Sequence, residues 1–328
     1  MNIDAKVLSL LANCEFHSGE MLAQLLSVSR ATIWKSIRKL RDSGLDIYAV
    51  RGRGYRLADP IELLNQASIF DSIEPDKRSD IKDIDVLWEV DSTNKYLMDL
   101  AREGQESGSI CLAERQIQGR GRRGRQWISP LGGNIYLSVL WKLPFGPAQL
   151  SGLSLAIATS VVDTLHNIGL KEVGVKWPND IVWRERKLAG ILLEIGGESA
   201  GPSFAIVGLG LNLQLNKEFA GEIDQPWVDL DTIVKKPIER NKLVAGLISA
   251  IIQTFKRFEQ DGLKPFLPKW RQYDQYAGKN AVLHLENESI PGVISGIDDH
   301  GSLLLEYNGK ITRHHSGDVS LDVRDNAT

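Results

Sequence analysis

The sequence predicts an α+β protein built of three successive units, and three observations predict it. Apolar residues recur at helical spacing through residues 3–44, then give way to an alternating hairpin split by glycines. From Val86 to about Trp270, short apolar runs alternate with longer helical patterns. Beyond residue 275 the apolar residues fall into five short runs punctuated by glycine and asparagine. The expected boundaries are 1–62, 63–272 and 273–328.

In the first unit, Ile3, Val7, Leu8, Leu10 and Leu11 open a helix. Ser18 caps a second helix, with Met21, Leu22, Leu25 and Leu26 inward. Ser29 caps a third, with Ile33, Trp34, Ile37 and Leu40 inward and Gly44 ending it. Leu45, Ile47 and Ala49 alternate as a half-buried strand. Arg51-Gly52-Arg53-Gly54 turns the chain, and Tyr55 and Leu57 return it. Three helices and a two-stranded wing make a winged helix-turn-helix. Between Arg30 and Arg56 eight basic residues meet two acids, a local charge of +6 in a chain of net charge -3. DNA phosphates reward that placement through counterion release. The expected DNA contacts are Arg30, Thr32, Lys35, Ser36 and Lys39 on the third helix and Arg51 and Arg53 on the wing. Thr32, Lys35 and Ser36 project from its early turns. A solvated charged face on a protein-interaction module is the alternative.

In the second unit, the polar stretch from Asp71 to Asp83 reads as a linker or variable loop. Strands are expected at Val86–Val90, Ile110–Ala113, Ile135–Leu140, Val173–Lys176, Ile181–Trp183, Leu188–Ile195 and Ala205–Leu211. Helices are expected where Asp91-Ser92-Thr93-Asn94 opens one, from about Gln149 to His166, and from about Arg240 to Phe258. The third unit reads as a small β-barrel of five short strands.

Composition narrows the class. With 328 residues and 42% hydrophobic content, the chain can bury a sizeable core. Its two cysteines, Cys14 and Cys111, lack CxxC spacing, which argues against a disulfide framework or zinc site. Asp4 and Lys6 interrupt the N-terminal apolar residues, so no signal peptide is expected there. No uninterrupted apolar run approaches the ~20 residues of a membrane span. A cytoplasmic protein with no membrane partner is expected. None of the six histidines pairs with a nucleophile in a recognisable motif. His314-His315 is declined as a metal pair, because adjacent strand residues face opposite ways.

The most informative segment is Gly119-Arg120-Gly121-Arg122-Arg123-Gly124-Arg125. Its glycines free the backbone, and its arginines offer forked donors to phosphate or carboxylate. Four cations in seven residues repel, so an anion should order the loop. It is neither a Walker loop nor a dinucleotide fingerprint. Alone, it fits a clamp on a phosphate-bearing ligand and a nucleic-acid-binding loop equally well.

Context separates the two. GRGRRGRQW (119–127), KWPND (176–180), RKLAGIL (186–192) and DSTN (91–94) together resemble the biotin–protein ligase family. The winged helix and small C-terminal unit make the chain similar to the family's bifunctional ligase/repressor members. The resemblance implies a central mixed sheet related to class II aminoacyl-tRNA synthetases and an SH3-like C-terminal barrel. It implies activation of biotin by ATP with Mg²⁺, giving biotinyl-5′-AMP. The biotinyl group then passes to a lysine of the biotin carboxyl carrier protein of acetyl-CoA carboxylase.

On the matching positions, the resemblance implies that Ser92, Thr93, Asn94 and Gln116 meet the biotin head group. Arg120, Gly121 and Arg122 wrap the biotin tail and phosphate. Lys187 stands between carboxylate and α-phosphate, making Lys187, Arg122 and Arg120 the catalytic cations. Lys176, Asn179, Asp180, Trp127 and Asn212 serve ATP, with Asp180 a candidate Mg²⁺ ligand. Trp127 could equally pack the core, and Ser92–Asn94 could simply cap a helix. The resemblance also implies that the adenylate acts as corepressor, favouring a homodimer on a two-fold operator of biotin biosynthesis genes. The rivals are a biotin-sensing repressor without ligase activity, a lipoate or octanoate ligase, and a protein using the arginine loop as a second nucleic-acid contact.

Overall fold

The computed structural model describes residues 2–198, 201–215, 217–234 and 237–321. The first unit comprises α1 (Ile3–Leu11), α2 (Gly19–Leu25), α3 (Arg30–Asp42) and the antiparallel hairpin β1 (Ile47–Val50) and β2 (Gly54–Leu57). Asn2, Ser18 and Ser29 cap the helices, each side chain accepting a backbone N–H three residues on. Gly44, at φ +94°, takes the left-handed position that ends α3.

Three inward assignments, Trp34, Met21 and Leu25, are corrected here. On α3 the buried residues are Ile33, Ser36, Ile37 and Leu40, at i, i+3, i+4 and i+7. That stripe excludes Trp34, which is 54% exposed with the Arg38 guanidinium over its ring. It also takes in Ser36, whose hydroxyl donates to Asp4 at 2.7 Å and is thereby satisfied away from solvent. On α2 only Leu22 and Ala23 are buried, while Met21 and Leu25 are exposed.

The Asp71–Asp83 stretch is not a loose connector. It holds the end of α4 (Gln66–Ser72), a 3-10 turn at Pro75–Asp80 and the start of β3 (Asp83–Leu87). Buried Ile69 and Ile73 fix it to the main core. Two apolar anchors are too few to mark a helical period. The expected Val86–Val90 strand accordingly begins earlier, and Val90 contributes only a bridge to Gln116.

Then follow α5 (Thr93–Arg102), β4 (Ser109–Ala113), β5 (Ile135–Leu143), α6 (Leu153–Asn167), β6 (Val173–Lys176), β7 (Asp180–Trp183), β8 (Arg186–Gly197), β9 (Ser203–Leu211), α7 (Leu230–Ile233), α8 (Arg240–Asp261) and α9 (Leu267–Tyr273). The seven strands run in the order β3-β4-β5-β9-β8-β7-β6, parallel only between β3 and β4. β5 is buried at all but one of its positions because helices cover both faces. α6 and α8 pack on one face, whose core includes Leu137, Val139, Val207 and Leu209. α5 packs on the other, against Cys111, Leu140 and Ile206. The segment Pro147–Asn167 is long and apolar enough to cross a membrane by length and composition, but more than half of its most apolar stretch is buried in this core.

The third unit is a five-stranded antiparallel sheet of β10 (Asn280–His284), β11 (Ser289–Ile297), β12 (Leu303–Tyr307), β13 (Lys310–His314) and β14 (Asp318–Leu321). Its order is β13-β12-β11-β10-β14, with a bulge between Ile294 and Gly296. Ala281, Leu283, Ile294, Leu303, Leu305 and Val319 belong to the same apolar core as the central sheet. The first unit has its own core, to which the central unit contributes Leu131.

Candidate active site and nucleic-acid face

The α5 face of the sheet opens into a cleft of about 940 Å³. Strand register determines its floor. Gly190 pairs with Gly210, Leu192 with Gly208, and Glu194 with Ile206, so these residues share the α5 face. Ser138 lies opposite Gly208 from the other side. Two floor glycines are dictated by close approach. A Cβ on Gly208 would stand 2.2 Å from the Asn94 Oδ1, and one on Gly210 would stand 2.4 Å from the Trp127 ring.

Ser92 caps α5, its hydroxyl accepting from the Lys95 N–H. Thr93 and Asn94 then enter the cleft from the helix N-terminus, where backbone N–H groups favour acceptors. The Gln116 Oε1 accepts from the Thr93 N–H at 2.9 Å and its hydroxyl at 3.2 Å. The Ser138 hydroxyl lies 2.7 Å from the Thr93 Oγ1 and 2.6 Å from the Asn94 Oδ1. Asn94 donates to Glu194 at 2.8 Å. These side chains form one connected set of donors and acceptors against an apolar floor. Ser138 and Glu194 were missed by the sequence reading. Ser138 did leave a signal, a lone hydroxyl inside the apolar run Ile135–Leu140.

At the other end, Lys187 and Asp180 pair at 2.8 Å, both largely buried. The Lys187 ammonium lies 5.4 Å from the Trp127 ring centre. The Trp127 indole N–H is buried with no hydrogen-bond partner, so a ligand acceptor there would satisfy it. Burial lowers the Lys176 pKa from its ordinary value, against the opposing pull of Asp180. Asn212 lines the cleft, and its amide also donates to the carbonyls of Lys187 and Val228, which anchors the backbone there. The 222–227 segment also lines the cleft, with the Pro226 carbonyl accepting from the Lys187 N–H. No motif had marked that segment.

The arginine loop closes on itself. Gly121 N–H donates to the Arg125 carbonyl at 2.7 Å, Trp127 N–H to the Gly119 carbonyl at 2.9 Å, and Arg123 sits at φ +55°. Arg120 lies 3.9 Å from Glu194 and is half exposed. Arg122 reaches the Asn179 Oδ1 at 3.3 Å, which joins the loop to the 176–180 segment. Burial lowers the Arg122 pKa, while Asp318 opposes the shift. The cleft therefore holds Arg120, Gly121, Arg122, Trp127, Lys176, Asn179, Asp180, Lys187 and Asn212 together with Ser92, Thr93, Asn94 and Gln116.

On the first unit, Arg30, Lys35, Arg51 and Arg53 are exposed. Thr32 is half-buried beside Ser29. Lys39 is exposed but paired with Asp4 at 2.9 Å. Arg53 lies 4.1 Å over the Phe16 ring. Ser36 is buried, so the expectation that it reaches a base edge is corrected.

Comparison with known proteins agrees with this geometry. The biotin/lipoate A/B protein ligase family matches residues 87–212, an HTH domain residues 5–56, and the biotin protein ligase C-terminal domain residues 278–322. The bifunctional ligase/repressor BirA of Escherichia coli (strain K12) is 41% identical over 319 residues, 97% of each chain. That of Bacillus subtilis (strain 168) is 30% identical, covering 94% of this chain and 95% of the relative. Among solved structures, the Aquifex aeolicus biotin protein ligase in complex with biotin and ATP superposes with a TM-score of 0.64 at 30% identity, covering 74% of this chain and 99% of that one. With its winged helix, central mixed sheet and C-terminal sheet all matched along nearly its whole length, the chain belongs to the bifunctional biotin ligase/repressor family.

Proposed function

We propose that this protein activates biotin with ATP, transfers the biotinyl group to a lysine of a biotin carboxyl carrier protein, and represses transcription when the adenylate is bound. The observation that carries the proposal is the continuity of the cleft. A hydrogen-bonding end at Thr93, Asn94 and Gln116, backed by buried Ser138 and by Glu194, runs into a cationic end at Lys187, Lys176 and Arg122. That polarity matches a molecule with a neutral urea ring at one end and an acyl phosphate at the other.

The biotin carboxylate attacks the α-phosphorus of ATP, an O–P bond forms, and the bond to pyrophosphate breaks. Lys187 and the loop arginines stabilise the added negative charge. Trp127 and the 222–227 segment enclose the mixed anhydride and exclude water. A neutral carrier lysine then attacks the acyl carbon, AMP leaves, and the amine loses its proton. Among the described residues no cluster of three or more His, Cys, Asp or Glu side chains could hold a metal. A single carboxylate, Asp180, fits Mg²⁺ carried on phosphate oxygens, where the ion would neutralise phosphate charge. The repressor acts in the cytoplasm as a homodimer that presents two winged helices to a two-fold operator.

Biotin-dependent ATP–pyrophosphate exchange, followed by transfer to a purified carrier domain, tests the ligase. Lipoate and octanoate run in parallel should give no exchange, and exchange with either but not with biotin would overturn the assignment. Tighter operator binding with adenylate than without it tests the repressor.

A further inference from the structure

The third unit reaches into the cleft at one charged point. Asp318, at the start of β14, receives three guanidiniums of the arginine loop: Arg125 at 3.0 Å, Arg122 at 3.7 Å and Arg123 at 3.8 Å. Backbone carbonyls beside it add to the contact. Arg122 donates to the Gly317 carbonyl at 3.3 Å, and Arg123 to the His284 carbonyl at 3.1 Å. Of the nearby acids, Asp180 is paired with Lys187, and Glu194 accepts from Asn94 and lies 3.9 Å from Arg120 at the start of the loop. Asp318 is the counter-charge shared by three of the loop's four arginines, with Glu194 facing the fourth.

We propose that Asp318 is the positioning residue of the arginine loop, gathering it against the small sheet so that Arg122 and Arg125 stand at the mouth of the cleft and retain the adenylate. The inference rests on the adenylating function proposed above. One carboxylate shared by three guanidiniums leaves surplus positive charge, so the loop is gathered without being silenced towards a phosphate. Without the carboxylate Arg122, Arg123 and Arg125 lose their shared counter-charge, and their repulsion spreads them towards solvent. The loop then stands open, and the intermediate escapes. The head-group contacts at Thr93, Asn94 and Gln116 lie outside the loop, so biotin affinity changes less than ATP affinity. This assigns the third unit a part in the reaction through a single side chain.

The test measures release of preformed adenylate from the full chain in a chase, with KM values for ATP and biotin. Asp318→Asn should release adenylate about tenfold faster and raise the KM for ATP severalfold, with biotin KM within about twofold. Asp318→Glu should restore retention. Arg125→Gln should speed release in the same direction but less than Asp318→Asn, and the double variant should add little to Asp318→Asn alone, because loss of the carboxylate already removes the Arg125 contact. Release within about twofold of the unaltered chain, a parallel rise in biotin KM, or additive effects would each overturn the inference. If Asp318→Asn fails to fold, Arg125→Gln and its release rate still decide. Absence of any adenylate from the unaltered chain would instead refute the ligase assignment.

Discussion

Gly210 shows how much a missing side chain can carry. The Trp127 ring occupies the space its Cβ would fill, and that ring also faces Lys187. Gly210→Ala must push the indole into the cleft. Adenylation should fall about tenfold to a hundredfold, since misplacing a bound group by ~1 Å is that costly. Overpacking should lower stability by only about 1–3 kcal/mol. Pyrophosphate exchange and denaturant titration separate the two, and full activity would contradict the placement of Trp127. Lys187→Met removes the cation and strands Asp180. Adenylation should fall about 10²–10³-fold, the scale of losing one electrostatic stabiliser, while circular dichroism stays unchanged. At this scale the sequence was legible where chemistry clusters in the chain, as in Ser92–Asn94 and 176–180. It was silent where partners meet only through folding. Asp318 lies 193 positions from Arg125 and in no motif.

α3 puts the helical period to a direct test. Apolarity placed Trp34 inside and polarity placed Ser36 outside, but geometry decides by angle. Ser36 completes the i, i+3, i+4, i+7 stripe, and Asp4, from α1, makes its burial affordable. A pattern read on one helix cannot see an acceptor supplied by another. Ser36→Ala should therefore destabilise the first unit by about 1 kcal/mol and leave DNA affinity per folded molecule unchanged. Lys35→Ala should leave stability within about 0.5 kcal/mol and weaken DNA binding, with the slope of log affinity against log salt reduced by about 1. Thermal melts and salt-titrated binding distinguish the pair, and the reverse assignment of effects would contradict the burial pattern. Long elements such as α8 and β8 were legible because many residues repeat one environment. α4 and the 3-10 turn were not, because Ile69 and Ile73 carry the whole signal.

Across the molecule, the chain leaving the winged helix is fastened to the catalytic unit by a buried charge network. Arg240 and Glu114 pair at 2.7 Å and are almost wholly buried. Glu114 also accepts from the Leu64 N–H at 2.6 Å, and Glu62 accepts from the Asn241 amide at 2.6 Å. The Asn241 Oδ1 takes the Asn65 N–H at 2.8 Å. Breaking a buried pair by deleting one partner leaves an unpaired charge, so Arg240→Ala should cost about 3–5 kcal/mol of stability. Unfolding monitored in denaturant checks this, and a loss below about 1 kcal/mol would show the pair to be dispensable.

That fastening limits how the protein can be re-engineered. A repressor head grafted from elsewhere at a convenient join near residue 62 would arrive without its acidic tether, leaving Arg240 and Asn241 facing a stranger's backbone. Successful chimeras should be those whose donor segment brings a Glu62 equivalent with it, to accept from the Arg240 backbone N–H and the Asn241 amide.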